Sequence, residues 1–441
     1  MGLLRRLGLD RKELRAWAAY DWANSAFITV VVAAVFPPFF AKVPAGALAE
    51  AEATRRFTIA TTIAMTIIAL ASPVLGAIGD RAPVKKRFLA GFSAVGVAGT
   101  AAMAVLGPGD WLLALILFGI TNIAAQGAFV FYDSLLPHVA RPDEVDRVSS
   151  AGYALGYFGG GLLLAASGTV IAKPALLGLP DATTAIHLAF VATAVWWAFF
   201  ALPLFRHVRE PALPADRRVR GAGAIRAAFA DLRHTFTELR RYRQATLLLF
   251  AFLIYNDGIG TIFRLAAAYG ASELQLDTGK LITAMIVVQF VGIPATFGFG
   301  ALAGRIGTRA AILCGLAVYA GVCTYGYFMT TAADFFALAV AVGLVQGGTQ
   351  ALSRSLFASM IPKDRSSEFF GLFGVFEKFA GILGPLVFAV TISVFGSSRP
   401  AILSLIAFFV IGAALLLRVD VGAGRAAAAA ANAAAANAAA K

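Results

Sequence analysis

Apolar stretches of helical length recur roughly every 30–40 residues along this chain, separated by short polar or basic turns. Twelve are legible, at 16–41, 57–79, 88–106, 111–138, 149–172, 184–205, 244–270, 279–300, 310–330, 334–361, 368–396 and 399–418. Most come near the about 20 residues that cross the hydrocarbon core of a bilayer. A backbone in lipid must satisfy its own hydrogen bonds, so such runs are helices. The pattern predicts an all-α polytopic membrane protein with twelve transmembrane helices.

The pattern also repeats. The stretch GAIGDRAPVK from Gly76 to Lys85 returns as GALAGRIGTR from Gly300 to Arg309, 224 residues on. The same offset carries Gly119 onto Gly343 and Gln126 onto Gln350. Two pseudo-symmetric six-helix bundles are a usual plan of secondary transporters. The expected division is a first bundle over 1–205, a basic linker over 206–243, a second bundle over 244–418 and an Ala-rich tail over 419–441. In the linker, Ile225, Phe229, Leu232, Phe236 and Leu239 fall at helical spacing, which predicts an amphipathic helix over 224–243. It is read either as lying on anionic lipid or as a solvated connector. The tail is assigned no function.

Composition sharpens this reading. The chain is 59% hydrophobic and only 14% charged, against about 25% charged in soluble domains. A net charge of +13 is the kind of excess that nucleic-acid binders carry, but its placement argues otherwise. Of the 37 Lys and Arg, 28 fall on one side of the twelve spans, six on the other and three within them. By the positive-inside rule the 28 are cytoplasmic, which puts both termini inside. Met1 to Arg15 is basic, but the apolar run after it is too long for a signal-peptide core, so no cleaved leader is expected. No metal-ligand spacing and no phosphate-cradling Gly-rich loop occurs, so no cofactor and no enzymatic activity is expected, and transport must run on gradients.

Seven ionisable residues fall inside spans: Asp21, Asp133, Asp257, Glu377, Arg264, Arg354 and Lys378. Charge inside a membrane is costly, so each is a functional candidate. In the first span Asp21, Asn24 and Ser25 share a face. In the seventh, Asn256 and Asp257 precede Gly258 and Gly260, which predicts a broken helix exposing backbone to a substrate, with Arg264 two turns on. Gln126 and Asp133 share a face of the fourth span; Gln346, Gln350 and Arg354 do so in the tenth. An ion pair between Asp133 and Arg354 would close the cytoplasmic mouth. Spans one, four, seven and ten are expected to line the cavity. Glu377 and Lys378 are neighbours on a helix and are expected to need separate partners. The glycines of the fifth and eleventh spans are read as sliding contacts between the halves.

The repeated Gly-x-x-x-Asp-Arg stretch resembles the loop motif between the second and third helices of the major facilitator superfamily. In that superfamily the motif acid latches the halves, which assigns gating to Asp80, Arg81 and Lys85. Gly304 replaces the acid in the second copy, leaving Arg305 and Arg309 there alone. The segments AYDWANSAF from Ala19, VSSAGYALGY from Val148, YNDG from Tyr255, GGTQALSRSLF from Gly347 and Phe370 to Phe379 are similar to the vacuole-effluxer-like branch of that superfamily. That branch includes autophagy-related vacuolar amino-acid exporters of fungi and bacterial members. The resemblance implies a central cavity, alternating access and amino-acid efflux.

Together these readings describe a gradient-driven carrier of a small polar or zwitterionic solute, expected as a monomer in a bacterial inner membrane with no nucleic-acid partner. Substrate contact is assigned to Asp21, Asn24, Ser25, Gln126, Asn256, Asp257, Arg264, Gln346, Gln350 and Arg354. Coupling protons are assigned to Asp21, Asp257 or Glu377, and gating also to Asp133, Arg305, Arg309, Arg354 and Lys378. A lipid or peptide carrier of the same architecture, or a non-transporting receptor, is the alternative.

Overall fold

The computed structural model describes residues 3–81, 83–211, 241–276, 278–381, 383–395 and 398–439, and no strand occurs among them. The first half holds α1 (Lys12–Lys42), α2 (Glu50–Gly79), α3 (Lys85–Ala102), α4 (Trp111–Val139), α5 (Val145–Ala172) and α6 (Ala182–His207). The second holds α7 (Arg243–Glu273), α8 (Thr278–Ile306), α9 (Thr308–Phe328), α10 (Ala332–Ser359), α11 in two pieces (Ser366–Phe379 and Leu383–Phe395) and α12 (Arg399–Leu417). Among the described residues eleven helices are long and apolar enough to cross a membrane, and the second piece of α11 supplies a shorter apolar stretch, Leu386–Phe395. Most of the linker, 212–240, lies outside the described residues, and with it most of the expected amphipathic helix.

The surface is inverted relative to a soluble protein. On α2 the exposed face carries Ile59, Ile63, Ile67 and Leu70; on α6 it carries Val191, Val195, Phe199 and Leu202. Such stripes face lipid, while polar side chains turn inward.

Two departures from the expected helices matter. First, α7 runs unbroken through Asn256, Asp257 and Gly258. The interruption expected there occurs in α11, between Phe379 and Leu383. Asp257 is still involved: its Oδ2 accepts the Leu383 amide at 2.9 Å, capping the second piece of α11. The Asn-Asp-Gly run tolerates a helix here because its acid serves the neighbouring helix rather than breaking its own. Second, α1 is π-helical over Phe27–Val35, a geometry that is rare and often functional.

The halves meet along α2 with the first piece of α11, and along α5 with α8. Glycine permits the first contact. A Cβ on Gly76 would lie 2.1 Å from the Ser367 carbonyl oxygen, and one on Gly371 2.4 Å from that of Ser72. The α5 glycines differ from expectation. Gly152, Gly156, Gly159 and Gly160 seat against Asp21, Ser25, Trp22 and Thr29 of α1 in the same half, and Gly161 meets Gln289 of α8. A short helix–helix distance within the first bundle explains them better than sliding between bundles. Gly76→Ala is expected to destabilise this conformer by about 1–3 kcal/mol through overpacking against backbone. Thermal unfolding in detergent checks it against Gly91→Ala, where a Cβ meets nothing within 4 Å; equal melting of the two variants would remove the argument.

The Ala-rich tail is a helix, α13 (Val421–Ala439). It docks on the second half: Asn432 Oδ1 accepts the Lys363 amide at 2.8 Å, and Arg425 Nε donates to Ser359 Oγ at 3.2 Å.

Candidate functional site

Arg354 is the centre of the molecule's polar interior. It is 2% exposed, although it projects from α10 at membrane depth. Its Nη1 donates to Asp133 Oδ1 at 3.0 Å, and its Nη2 to Asp21 Oδ2 at 3.2 Å. Nε donates to Ser149 Oγ at 3.0 Å, and Nη2 also to the Ser149 carbonyl at 3.0 Å. Every one of these partners belongs to the first half. The pairing with Asp133 suggested by the sequence is present, and Asp21 and Ser149 join it. Tyr132 donates its hydroxyl to Asp21 Oδ2 at 2.8 Å. The guanidinium also lies over the rings of Tyr153 and Trp17, 4.4 Å and 4.9 Å from their centroids. A buried cation is tolerable only with its donors satisfied, and two acids plus aromatic faces supply that here.

The cluster forms the floor of a cavity of about 330 Å³ between the halves. The cavity extends along α1 from Asp21 past Ser25 and Thr29 to Ala33, and reaches Leu164 of α5 and Met285 of α8. Of the residues assigned to the substrate, Asp21, Ser25, Gln126, Gln346, Gln350 and Arg354 line it, as do Asp133 and Glu377. Gln350 donates to Asn256 Oδ1 at 2.5 Å, so Asn256 stands behind the wall rather than in it. Asn24 is fully buried and lines no part of the cavity, and Asp257 faces α11 instead. The side chain of Arg264 lies outside the described residues. Helix α7 thus contributes only Phe263 among the described residues, while α5 contributes Tyr153, Gly156, Tyr157 and Leu164. The expectation of α1, α4, α7 and α10 as the lining is corrected accordingly: α5, α8 and α11 share the wall. The signal for α5 was present in its two tyrosines, each adjoining a glycine face.

Beyond the floor, the end bearing Asp80 is sealed by further contacts between halves. Asp80 accepts the amides of Ser367 and Glu368 at 3.1 Å and 2.7 Å, capping α11. A carboxylate at a helix N-terminus satisfies donors that have no partner in the helix and meets the positive end of its dipole. Lys85 holds Asp80 Oδ1 at 2.8 Å and donates to Ser366 Oγ at 2.8 Å. Arg81 lies at the turn beside them, half-buried.

The second copy of the motif works differently. Arg305 is exposed, and Arg309 donates to the Leu417 and Val419 carbonyls within its own half. The acid missing at Gly304 is replaced from the opposite half. Asp146 of α5 accepts from Thr308 Oγ1 at 2.6 Å and Ser355 Oγ at 2.5 Å. The sequence reading missed Asp146 because the replacement lies across the interface, not within the repeat. Glu377 and Lys378, expected to face apart, approach to 3.9 Å, because the Lys378 stem folds back to the Gly374 carbonyl at 3.3 Å. Among the described residues no cluster suited to a metal occurs.

Family matching agrees with the geometry: the family model described as vacuole effluxer Atg22 like matches residues 46–429. The chain belongs to the vacuole effluxer Atg22-like family. It is 37% identical over 414 residues to an uncharacterized MFS-type transporter, YxiO, of Bacillus subtilis (strain 168), covering 92% of this chain and 94% of that protein. It is 27% identical over 308 residues to autophagy-related protein 22 of Yarrowia lipolytica, covering 63% of this chain but only 51% of the fungal protein. Among solved structures it is similar to the major facilitator superfamily transporter FucP in an outward conformation, with a TM-score of 0.66 at 14% identity over 94% of this chain and 99% of that one. A bacterial homologue of the iron transporter ferroportin, outward-facing, gives 0.65 at 15% identity over 92% of this chain and 99% of that one. At such identities these establish the fold alone. This Atg22-like chain is thus a multi-pass membrane protein of the major facilitator fold and a transporter by family.

Proposed function

We propose that this Atg22-like protein is a secondary carrier that moves a small polar solute of amino-acid size by alternating access, as an efflux system coupled to protons. The observation that carries the reading is the cavity between the halves, whose floor, Arg354 with Asp21 and Asp133, is built from both of them. Separation of the halves at this floor exposes the cavity to the other side, which is what alternating access requires. The excess of Lys and Arg at the Asp80 end supports reading that end and both termini as cytoplasmic, in a bacterial inner membrane. The described conformer then faces outward, because the Asp80 end is the sealed one. Glu377, the cavity acid whose side chain is 41% exposed, is the candidate for proton coupling.

Purified protein in proteoliposomes, given a labelled amino-acid panel with and without an imposed pH gradient, tests the reading. Saturable uptake that the gradient accelerates is expected. Asp133→Asn should reduce it at least about tenfold, since one charge-assisted hydrogen bond to Arg354 is worth that much. Folded protein that moves no small solute under either condition would sink the proposal.

A further inference from the structure

The charge of the cavity lining is unbalanced. Its described ionisable members are Asp21, Asp133, Glu377 and Arg354. Arg354 commits its guanidinium to Asp21, Asp133 and Ser149. Four of its five N–H groups are taken in this way and two carboxylates already meet its charge, so the lining keeps an excess of negative charge. Glu377 meets Lys378 only at 3.9 Å and is the acid open to the cavity. Gln346 also faces this space; its Oε1 is buried and has no hydrogen-bond partner among the described residues. Glu377 and the Gln346 oxygen are thus acceptors that lack a donor. The walls between them are aromatic: Phe129, Tyr153, Tyr157, Phe263 and Phe373. Tyr153 already faces one cation, the Arg354 guanidinium. Such acceptors, in a lining whose described charges sum to negative and whose walls are π faces, are the surroundings that suit a protonated amine. A substrate carboxylate there would meet like charge.

Resting on the carrier reading, we infer that the preferred cargo is an organic ammonium ion bearing no carboxylate, with its nitrogen between Glu377 and Gln346 and its apolar body against the aromatic walls. Three probes of nearly equal size isolate the charge at about pH 6, below the about 7.7 of an α-amino group: phenylalaninamide is then cationic, phenylalanine zwitterionic and N-acetylphenylalanine anionic. They are applied to wild-type proteoliposomes and, by thermal shift, to the same protein in detergent. The amide is expected to be transported with an affinity about ten- to a hundredfold above phenylalanine, the value of one hydrogen bond to a charged group. The anion should neither move nor stabilise. Glu377→Gln should erase the preference for the amide, while its unfolding temperature stays near wild type because Glu377 is partly exposed. Equal or better transport of phenylalanine, unchanged by Glu377→Gln, overturns the inference and leaves the carrier intact; a second cation, Arg264, would then have to reach the substrate. Absence of transport and of stabilisation by all three probes in folded protein overturns the inference and removes support for a carrier of small amines as well.

Discussion

Arg354→Gln is expected to abolish transport and to lower stability by about 3–5 kcal/mol, the cost of leaving buried acids without their counter-ion. The loss is large because one side chain satisfies two carboxylates and a backbone carbonyl, all in the opposite half. Glutamine is too short to reach Asp21 and Asp133 together and brings no charge. The physical cause can be separated from a general packing defect. Adding Asp21→Asn and Asp133→Asn to the same protein removes the orphaned charges, so stability should recover while transport does not. Chemical unfolding of the single and triple variants measures this. Wild-type stability in the single variant would mean that the cluster is wetter than its burial implies.

Asp80→Asn carries the second large effect. Two amides of α11 and the ammonium of Lys85 converge on Asp80. Asparagine keeps one acceptor, but turns an N–H₂ toward donors. The loss of about 2–3 kcal/mol shifts the ratio of sealed to open molecules roughly 30- to 150-fold toward open. Ser72 is buried where α2 meets α11. A cysteine placed there, with Cys314 and Cys323 replaced by alanine, reports the change through labelling by an impermeant maleimide. Labelling should be slow while the acid is in place and fast once Asp80→Asn is added. Equal rates would mean that the cap does not hold this end closed.

The parts of the fold written in the sequence are those that lipid dictates. Spans near the bilayer thickness and Arg354 facing an acid of the other half follow from the cost of polar groups in hydrocarbon, and the doubling is read directly from the motif repeated at a fixed offset. What the sequence did not disclose depends on which neighbour a side chain meets. Asp257 reads as a substrate acid from its Asn-Asp-Gly context, yet it serves the Leu383 amide, 126 residues away. Gly304 reads as a lost acid, yet Asp146 takes that place from the other bundle. The lining role of Tyr153 and Tyr157 was hidden because the glycines beside them draw attention to packing. Nothing in an alanine run indicates that Asn432 will meet Lys363. Periodicity reveals which face is buried; it carries no register between helices that are distant in sequence.

The break in α11 divides one helix between two allegiances. Its first piece lies chiefly along α2 and α4 of the first half, held by the Asp80 cap, while its second is tied through Asp257 to α7 of the second. An unbroken helix would transmit any rotation of one bundle rigidly to the other. An interrupted one behaves as a universal joint: each bundle can carry its own length of rod, and Ala380 and Gly381 depart from helical geometry between them. Restoring helical continuity there would therefore stiffen the whole transporter without touching either end of its substrate path.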